Sequence, residues 1–250
     1  MTEPEPTHWF EPLADHLGTA YLRYSFTKGT AQEVEFLAGV LGLHPGERLL
    51  DVGCGPGRHA LTFAARGVEV VGVDIAQRFI DIARERTSPG DPVTFERMDA
   101  RALPFRDEFD AAISLCQGAF GLVGPGSDVD VLAGMARALR PRGRFAVSAF
   151  SSYFQVKYPQ EQGVFDIATG VHHERTSLKD EQGDAIDADL WTTCYTPREL
   201  ALVTASAGLT VEHVWSVEPG RYEPATPTIE TPELLIVGTK SDTSPPLEVG

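Results

Sequence analysis

The sequence predicts an α/β fold, a doubly wound and mostly parallel sheet carrying an inserted β-hairpin. Three observations predict it. Strand-like and helix-like stretches alternate from about Arg48 to Phe150, which implies a parallel sheet with right-handed crossovers. A buried strand at Leu49 runs through a glycine turn, Gly53 to Gly57, straight into a helix, and the next strand ends on a carboxylate at Asp74. After Tyr195 come one more helix start and two more strands.

In order, Met1 to about Pro12 is acidic and proline-bearing, and Asp15–Lys28 is rich in aromatic residues, with Tyr21, Tyr24 and Phe26. Thr30-Ala-Gln-Glu33 reads as a capping box opening a helix, whose apolar face is Val34, Leu37 and Leu41. Strands are expected at about 48–52, 68–74, 93–99, 111–115 and 144–150, with helices at about 76–86 and 127–139. Pro141-Arg-Gly143 ends the second of these helices. Val171–Lys179 and Ile186–Tyr195 flank Asp180-Glu-Gln-Gly-Asp184, a hairpin signal. Thr196-Pro-Arg-Glu199 is a second capping box, and Leu209–Val217 and Glu233–Thr239 are the last strands, joined by a proline-rich loop. The expected organisation is an N-terminal segment 1–29, a domain 30–240 with an insertion at 151–195, and a disordered tail 241–250.

The chain has 250 residues, 42% of them hydrophobic, enough for one α/β domain with a sizeable core. Its net charge of −15 repels phosphate backbones, so nucleic acid is not the expected partner. Cys54, Cys116 and Cys194 have no C-x-x-C spacing and fit a reducing compartment. No run suits a membrane span, and Glu3 and Glu5 stand where a signal peptide needs positive charge, so a cytoplasmic protein is expected.

The glycine turn allows a ligand to approach the backbone, the helix N-terminus behind it favours negative charge, and an acid at the next strand tip can take both hydroxyls of a ribose. A nucleoside-containing cofactor is therefore expected. Gly55-Pro-Gly57-Arg-His-Ala60 also fits the G-x-G-x-x-G/A dinucleotide pattern, so an NAD-dependent oxidoreductase is one alternative. Asp51 weighs against it, because a carboxylate there repels a pyrophosphate and suits a ligand with an ammonium group.

Asp51-Val-Gly-Cys-Gly-Pro-Gly57 resembles motif I of the class I S-adenosylmethionine-dependent methyltransferases. Leu103-Pro-Phe105 before Phe109-Asp110, and Leu139-Arg-Pro-Arg-Gly143 before the fifth strand, are similar to the same family. The resemblance extends from about Thr30 to Lys240 and implies the Rossmann-like, seven-stranded sheet whose last strand inserts antiparallel. It implies S-adenosylmethionine as cofactor and a small molecule as methyl acceptor, with the protein a monomer or homodimer.

Residue by residue, it implies that Gly53, Gly55 and Gly57 admit the methionine part and that Asp51 holds its amino group. Asp74 would take the ribose hydroxyls, Ile75 the adenine, and Asp99 with the backbone of Ala100 the adenine amine; Leu115 would lie under the methionine chain. The plain alternatives are helix caps for Asp74 and Asp99, a buried structural acid for Asp51, and ordinary core for Ile75 and Leu115. His59 is either a structural histidine or a ligand contact.

Acceptor-side candidates are Tyr21, Tyr24, Gln117, Phe120 and Tyr153, and a general base, where one is needed, would come from His172, Tyr153 or Tyr24. His172 and His173 are adjacent on a strand and face opposite ways, so at most one can face the site. No histidine or carboxylate spacing indicates a metal. A cofactor-binding protein without transferase activity is the remaining alternative.

Overall fold

In the computed structural model, which describes residues 8–116, 118–122, 124, 126–160 and 163–241, the predicted alternation is present strand by strand. Ahead of the sheet lie α1 (Glu11–Leu17), two 3-10 turns (Gly18–Arg23 and Ser25–Thr27) and α2 (Thr30–Leu41). Then come β1 (Arg48–Val52), α3 (Arg58–Ala64), β2 (Glu69–Asp74), α4 (Gln77–Glu85), β3 (Val93–Arg97), β4 (Phe109–Ser114), α5 (Asp128–Ala138) and β5 (Leu139–Ser151). The second half holds α6 (Ser152–Lys157), β6 (Gly163–Asp166), β7 (Val171–Lys179), β8 (Ala185–Tyr195) and α7 (Pro197–Ser206), then β9 (Leu209–Glu218), β10 (Arg221–Ala225) and β11 (Glu233–Lys240).

The sheet runs β10-β9-β11-β5-β4-β1-β2-β3. Strands β3, β2, β1, β4 and β5 are mutually parallel, and β11 lies antiparallel between β5 and β9. Together with β9 these are the seven strands expected, and β10 is an eighth along the β9 edge. Sequence reading left β10 inside a proline-rich loop because its Arg-Tyr-Glu-Pro-Ala is short and carries a proline. Such a strand can exist only at an edge, where a missing N–H faces no partner.

The insertion differs in the same way. The hairpin β7–β8 pairs from Val171↔Thr193 to Lys179↔Ala185, close to the expected bounds, but β6 adds a third antiparallel strand. Its root joins the main sheet where β8 runs parallel to the end of β5, Phe150↔Cys194 and Ser151↔Tyr195. Strand β5 also starts earlier than expected, at Leu139, and passes Pro141-Arg142-Gly143 through a register shift with Arg142 at φ +64°. The 242–250 part of the expected tail and residues 1–7 of the N-terminal segment lie outside the described residues.

Both faces of the sheet are covered. Ala146 of β5 faces Val34, Leu37 and Phe63 of α2 and α3, while its neighbours Phe145 and Val147 face Val131 and Met135 of α5 and Leu200 of α7. This is the alternation a strand buried on both sides must have.

The two capping boxes have different fates. Thr196 accepts from Glu199 N (3.2 Å) and Glu199 accepts from Thr196 N (2.9 Å), as expected. At the first, Gly29 is the cap residue, Thr30 Oγ1 donates back to Thr27 O (2.9 Å), and Glu33 is fully buried. Glu33 is one turn before Leu37 and two before Leu41, so it occupies the inward stripe of α2 and is drawn to partners in the core.

Replacing Thr196 by alanine should lower global stability by about 1 kcal/mol, the usual worth of an N-cap. Urea unfolding checks this; a change within a few tenths would mean the α7 cap contributes nothing.

Candidate active site

Strand β1 ends in a turn whose three glycines, Gly53, Gly55 and Gly57, have φ of +75°, +53° and +76°. At Gly53 a Cβ would lie 2.1 Å from the carbonyl carbon of Gly118, so this position is set by two backbones touching. A Cβ at Gly57 would meet the Phe95 ring at 2.7 Å, whereas one at Gly55 would meet nothing nearer than 3.9 Å. A Cβ at Gly55 would sit in ordinary contact with Phe79 and Tyr21, so its φ of +53° rather than crowding favours glycine there.

Asp74, at the tip of β2, is buried and aimed at this turn. Its Oδ2 accepts from Gly55 N–H (2.8 Å) and its Oδ1 from Ala76 N–H (2.9 Å). Each oxygen keeps a second lone pair for another donor. Burial pushes its carboxyl up to about 6 against those two bonds. Beside it lies a cleft of about 380 Å³ of atom-free space, partly open to solvent, lined by Phe10, Gly53, Asp74, Ile75, Asp99 and Ala100 among others. Five of the nine cofactor-side residues named from the sequence therefore border one cleft. Leu115 is packed in the core on the α2–α3 face. Asp99 caps the 3-10 turn at Ala100, accepting from Arg101 N (2.9 Å), and its carboxylate pairs with the Arg101 guanidinium, which holds it below its usual range.

Asp51 is buried under the glycine turn, and among the described residues its Oδ2 has no hydrogen-bond partner. Burial pushes its carboxyl up to about 7, with the Arg58 charge opposing and Asp74 adding to the rise. A bare, buried carboxylate oxygen at that position fits a donor brought by a ligand, above all an ammonium group.

Sequence reading missed a buried polar seam along the same edge of the sheet. Arg58, in the first turn of α3, donates to Glu33 Oε2 (2.6 Å), to Thr30 Oγ1 (2.9 Å) and to the Cys116 sulfur. His59 Nε2 lies 2.7 Å from the same Glu33 oxygen, and Gly220 N–H donates to the other (2.8 Å). Burial alone would raise Glu33, but the His59 bond and the Arg58 charge bring it down to about 2, while burial lowers His59 to about 4. His59 is accordingly neutral and structural. Further along, Cys116 N–H donates to Ser148 Oγ (2.8 Å), and the Ser148 side chain lies near Glu233 at the head of β11. The available signal was an acid set within an apolar stripe or run: Glu33 before Leu37 and Leu41, and Glu233 before Leu234-Leu-Ile-Val237.

The acceptor-side candidates are not brought together. Tyr21 lies over the turn, its ring 4.9 Å from Phe79 and its Cε1 3.9 Å from where a Gly55 Cβ would be. Tyr24 lines a separate recess with Arg23, Ser177 and Lys179. Phe120 is fully buried and stacked on Tyr195 at 5.2 Å, a core position. Tyr153 is exposed in a wide groove between α6 and α7. His172 is buried against Gly163, burial lowering its pKa, and His173 pairs with Asp189 (2.9 Å) and stacks on Trp191. Gln117 lies outside the described residues.

The N-terminal segment and the hairpin tip do meet. Glu181 Oε1 accepts from Thr19 N (2.7 Å) and from Arg78 (3.0 Å), and Glu181 O accepts from Arg23 (3.1 Å). Trp9 packs edge-on against Trp191 and donates from Nε1 to Leu122 O (3.1 Å).

Because Asp51 is raised from 3.8 to about 7 in the fold, the folded state holds its proton more tightly than the unfolded chain does. Its contribution therefore lowers stability progressively between about pH 4 and pH 7. Asp51→Asn should raise the stability of the ligand-free protein at pH 8 by roughly 1–3 kcal/mol, seen as a higher melting temperature, with little effect at pH 4. Thermal scans at the two pH values check it; equal effects at both would contradict the ionised, unpartnered carboxylate.

The family described as "Methyltransferase domain" matches residues 49–143, the span from β1 into β5 that carries the glycine turn, Asp74 and Asp99. Demethylmenaquinone methyltransferase of Clavibacter sepedonicus is 35% identical over 107 residues, 43% of this chain and 42% of that protein. 27-O-demethylrifamycin SV methyltransferase of Amycolatopsis mediterranei (strain S699) is 33% identical over 169 residues, 60% of this chain and 61% of that protein. The chain thus spans about half the length of these curated relatives. Among solved structures, the CcbJ methyltransferase from Streptomyces caelestis shares the fold with a TM-score of 0.71 and 19% identity, covering 96% of this chain and all of that one. Motif, sheet order and domain match agree: residues 49–143 match a methyltransferase domain, and the chain has the fold of the solved methyltransferases it is similar to.

Proposed function

We propose that the protein methylates a small-molecule acceptor with S-adenosylmethionine as donor. The observation that carries this reading is the bare, buried Asp51 oxygen beside the glycine turn. It suits the ammonium of the methionine moiety and would repel the pyrophosphate of NAD. Asp74 would accept the ribose hydroxyls on its two remaining lone pairs, Ile75 would pack on the adenine, and Asp99 with Ala100 would border the adenine amine. Gly53, Gly55 and Gly57 would line the methionine path. The cofactor supplies an electrophilic methyl group on a sulfonium, so the protein's tasks are alignment and exclusion of water.

Two considerations favour a small acceptor. A net charge of −15 disfavours nucleic acid, and the two relatives are named for small-molecule acceptors, demethylmenaquinone and 27-O-demethylrifamycin SV. The segment 1–29 and the insertion 151–195 are read as the acceptor-side wall, clasped together at Glu181. No helix among the described residues is long and apolar enough to cross a membrane, and a cytoplasmic location is part of the proposal.

Titration calorimetry with S-adenosylhomocysteine tests the reading directly, and micromolar binding of NAD with none of S-adenosylhomocysteine would overturn it. Asp74→Ala should weaken that binding by roughly 2–4 kcal/mol, the worth of charged hydrogen bonds to two hydroxyls. Alanine also strips two buried amides of their acceptor, so Asp74→Asn, which keeps an acceptor for one of them, separates ligand loss from fold loss. Normal affinity in the asparagine variant would remove Asp74 from the site.

Unfastening the clasp is a separate check. Glu181→Ala should speed release of S-adenosylhomocysteine roughly threefold or more, since one carboxylate ties Thr19 and Arg78 together. Stopped-flow displacement reads this, and an unchanged rate would make the contact incidental to the site.

A further inference from the structure

The seam that continues from Arg58 ends in two buried polar atoms that the fold leaves unused. Glu233 Oε1 and the Tyr222 hydroxyl are both buried, and neither has a hydrogen-bond partner among the described residues. Both are held in place by their neighbours. Glu233 opens β11, paired with Phe150 of β5 on one side and Val217 of β9 on the other. Tyr222 is fixed through its backbone by Gln32 of α2, which accepts from Tyr222 N and donates to Tyr222 O, each at 2.8 Å. Leaving two such groups unsatisfied is expensive, and a fold that retains them points to a donor arriving from outside.

Their position supports this. Antiparallel β11 begins at the edge where the parallel strands end, which is where doubly wound folds bind ligands. From Glu233 the path to the cofactor cleft has few steps: Ser148, then Cys116, and Gly118, which touches Gly53 at the cleft. Arg58, bonded to Cys116, sits close enough to act on both Asp51 and Glu233.

We propose that Glu233, with the Tyr222 hydroxyl, forms the subsite that receives a weakly acidic hydroxyl of the acceptor and takes its proton. The proposal rests on the methyltransferase reading above. In the step, the acceptor O–H bond breaks, its electron pair stays on the oxygen, and the proton bonds to Glu233 Oε1, turning the carboxylate into a neutral carboxyl. The electron pair left on the acceptor oxygen is the nucleophile for the methyl group, and the proton leaves to water afterwards. Burial, with the Glu33 charge adding to it, pushes the Glu233 carboxyl up to about 7 against the nearby Ser148 hydroxyl and Arg58 charge, which suits a base working near neutral pH.

The test uses the full chain with 2-naphthol as probe, whose ground-state absorption separates neutral naphthol from naphtholate, and 2-methoxynaphthalene as the counterpart lacking the proton. Binding is titrated by fluorescence with and without S-adenosylhomocysteine. The expected result is that 2-naphthol binds at least tenfold more tightly than its methyl ether and absorbs as naphtholate. Glu233→Gln and Tyr222→Phe should each weaken 2-naphthol about tenfold, one charged or buried hydrogen bond, and Glu233→Gln should abolish the naphtholate absorption. Retained S-adenosylhomocysteine affinity in both variants shows that they are folded. Equal binding of the two probes, absence of 2-naphthol binding, or unchanged affinity and absorption in both variants would each overturn the proposal. Loss of S-adenosylhomocysteine binding by the unaltered protein would instead overturn the cofactor reading.

Discussion

A guanidinium buried beside a glycine turn has to be neutralised from within the protein, and Arg58 obtains this from Glu33 at 2.6 Å. Much of the active edge follows from that pairing. It draws Glu33 inward from the first turn of α2, which brings His59 and the β9–β10 turn at Gly220 onto the same carboxylate. It ties α3, and so the glycine turn, to the helix that precedes the sheet. The same positive charge then acts on Asp51, lowering the cost of ionising it in a region where burial alone would keep it protonated, while at Glu233 the Glu33 charge works against it.

The fold was legible because its signals are local. Strand-helix alternation, the glycine turn, the acid ending β2, the hairpin around 180–184 and the Thr196 box all depend on residues adjacent in sequence, and each is present. What was not legible depends on partners far along the chain. Glu33 satisfies the capping-box spacing, yet its partners are Arg58, His59 and Gly220. Strand β10 is too short and too proline-bearing to be read without the β9 edge it lies on.

The candidate site divides along the same line. Gly53, Asp74, Ile75, Asp99 and Ala100 border one cleft because all lie at or just beyond the ends of adjacent parallel strands, whose register the pattern predicts. The acceptor-side candidates were chosen by residue type, without a register to place them. Phe120 went to the core against Tyr195, and Tyr153 to a groove beyond α6. Tyr21 is the one that lies over the turn, held there by Phe79 of α4.

The antiparallel strand β11 also sets a schedule. It is the last strand in the chain, yet it is laid between β5 and β9 rather than added at an edge. During synthesis the cofactor half, β1 to β4, can collapse around its own short-range contacts as soon as it is made. The seam has to wait: Glu233 reaches Ser148 only after some eighty-five further residues have been added (233 − 148 = 85). Until then β5 keeps an open edge exposed to any other extended chain. A nascent protein of this design therefore has its glycine-turn half before its C-terminal strands, and its most vulnerable interval lies between them.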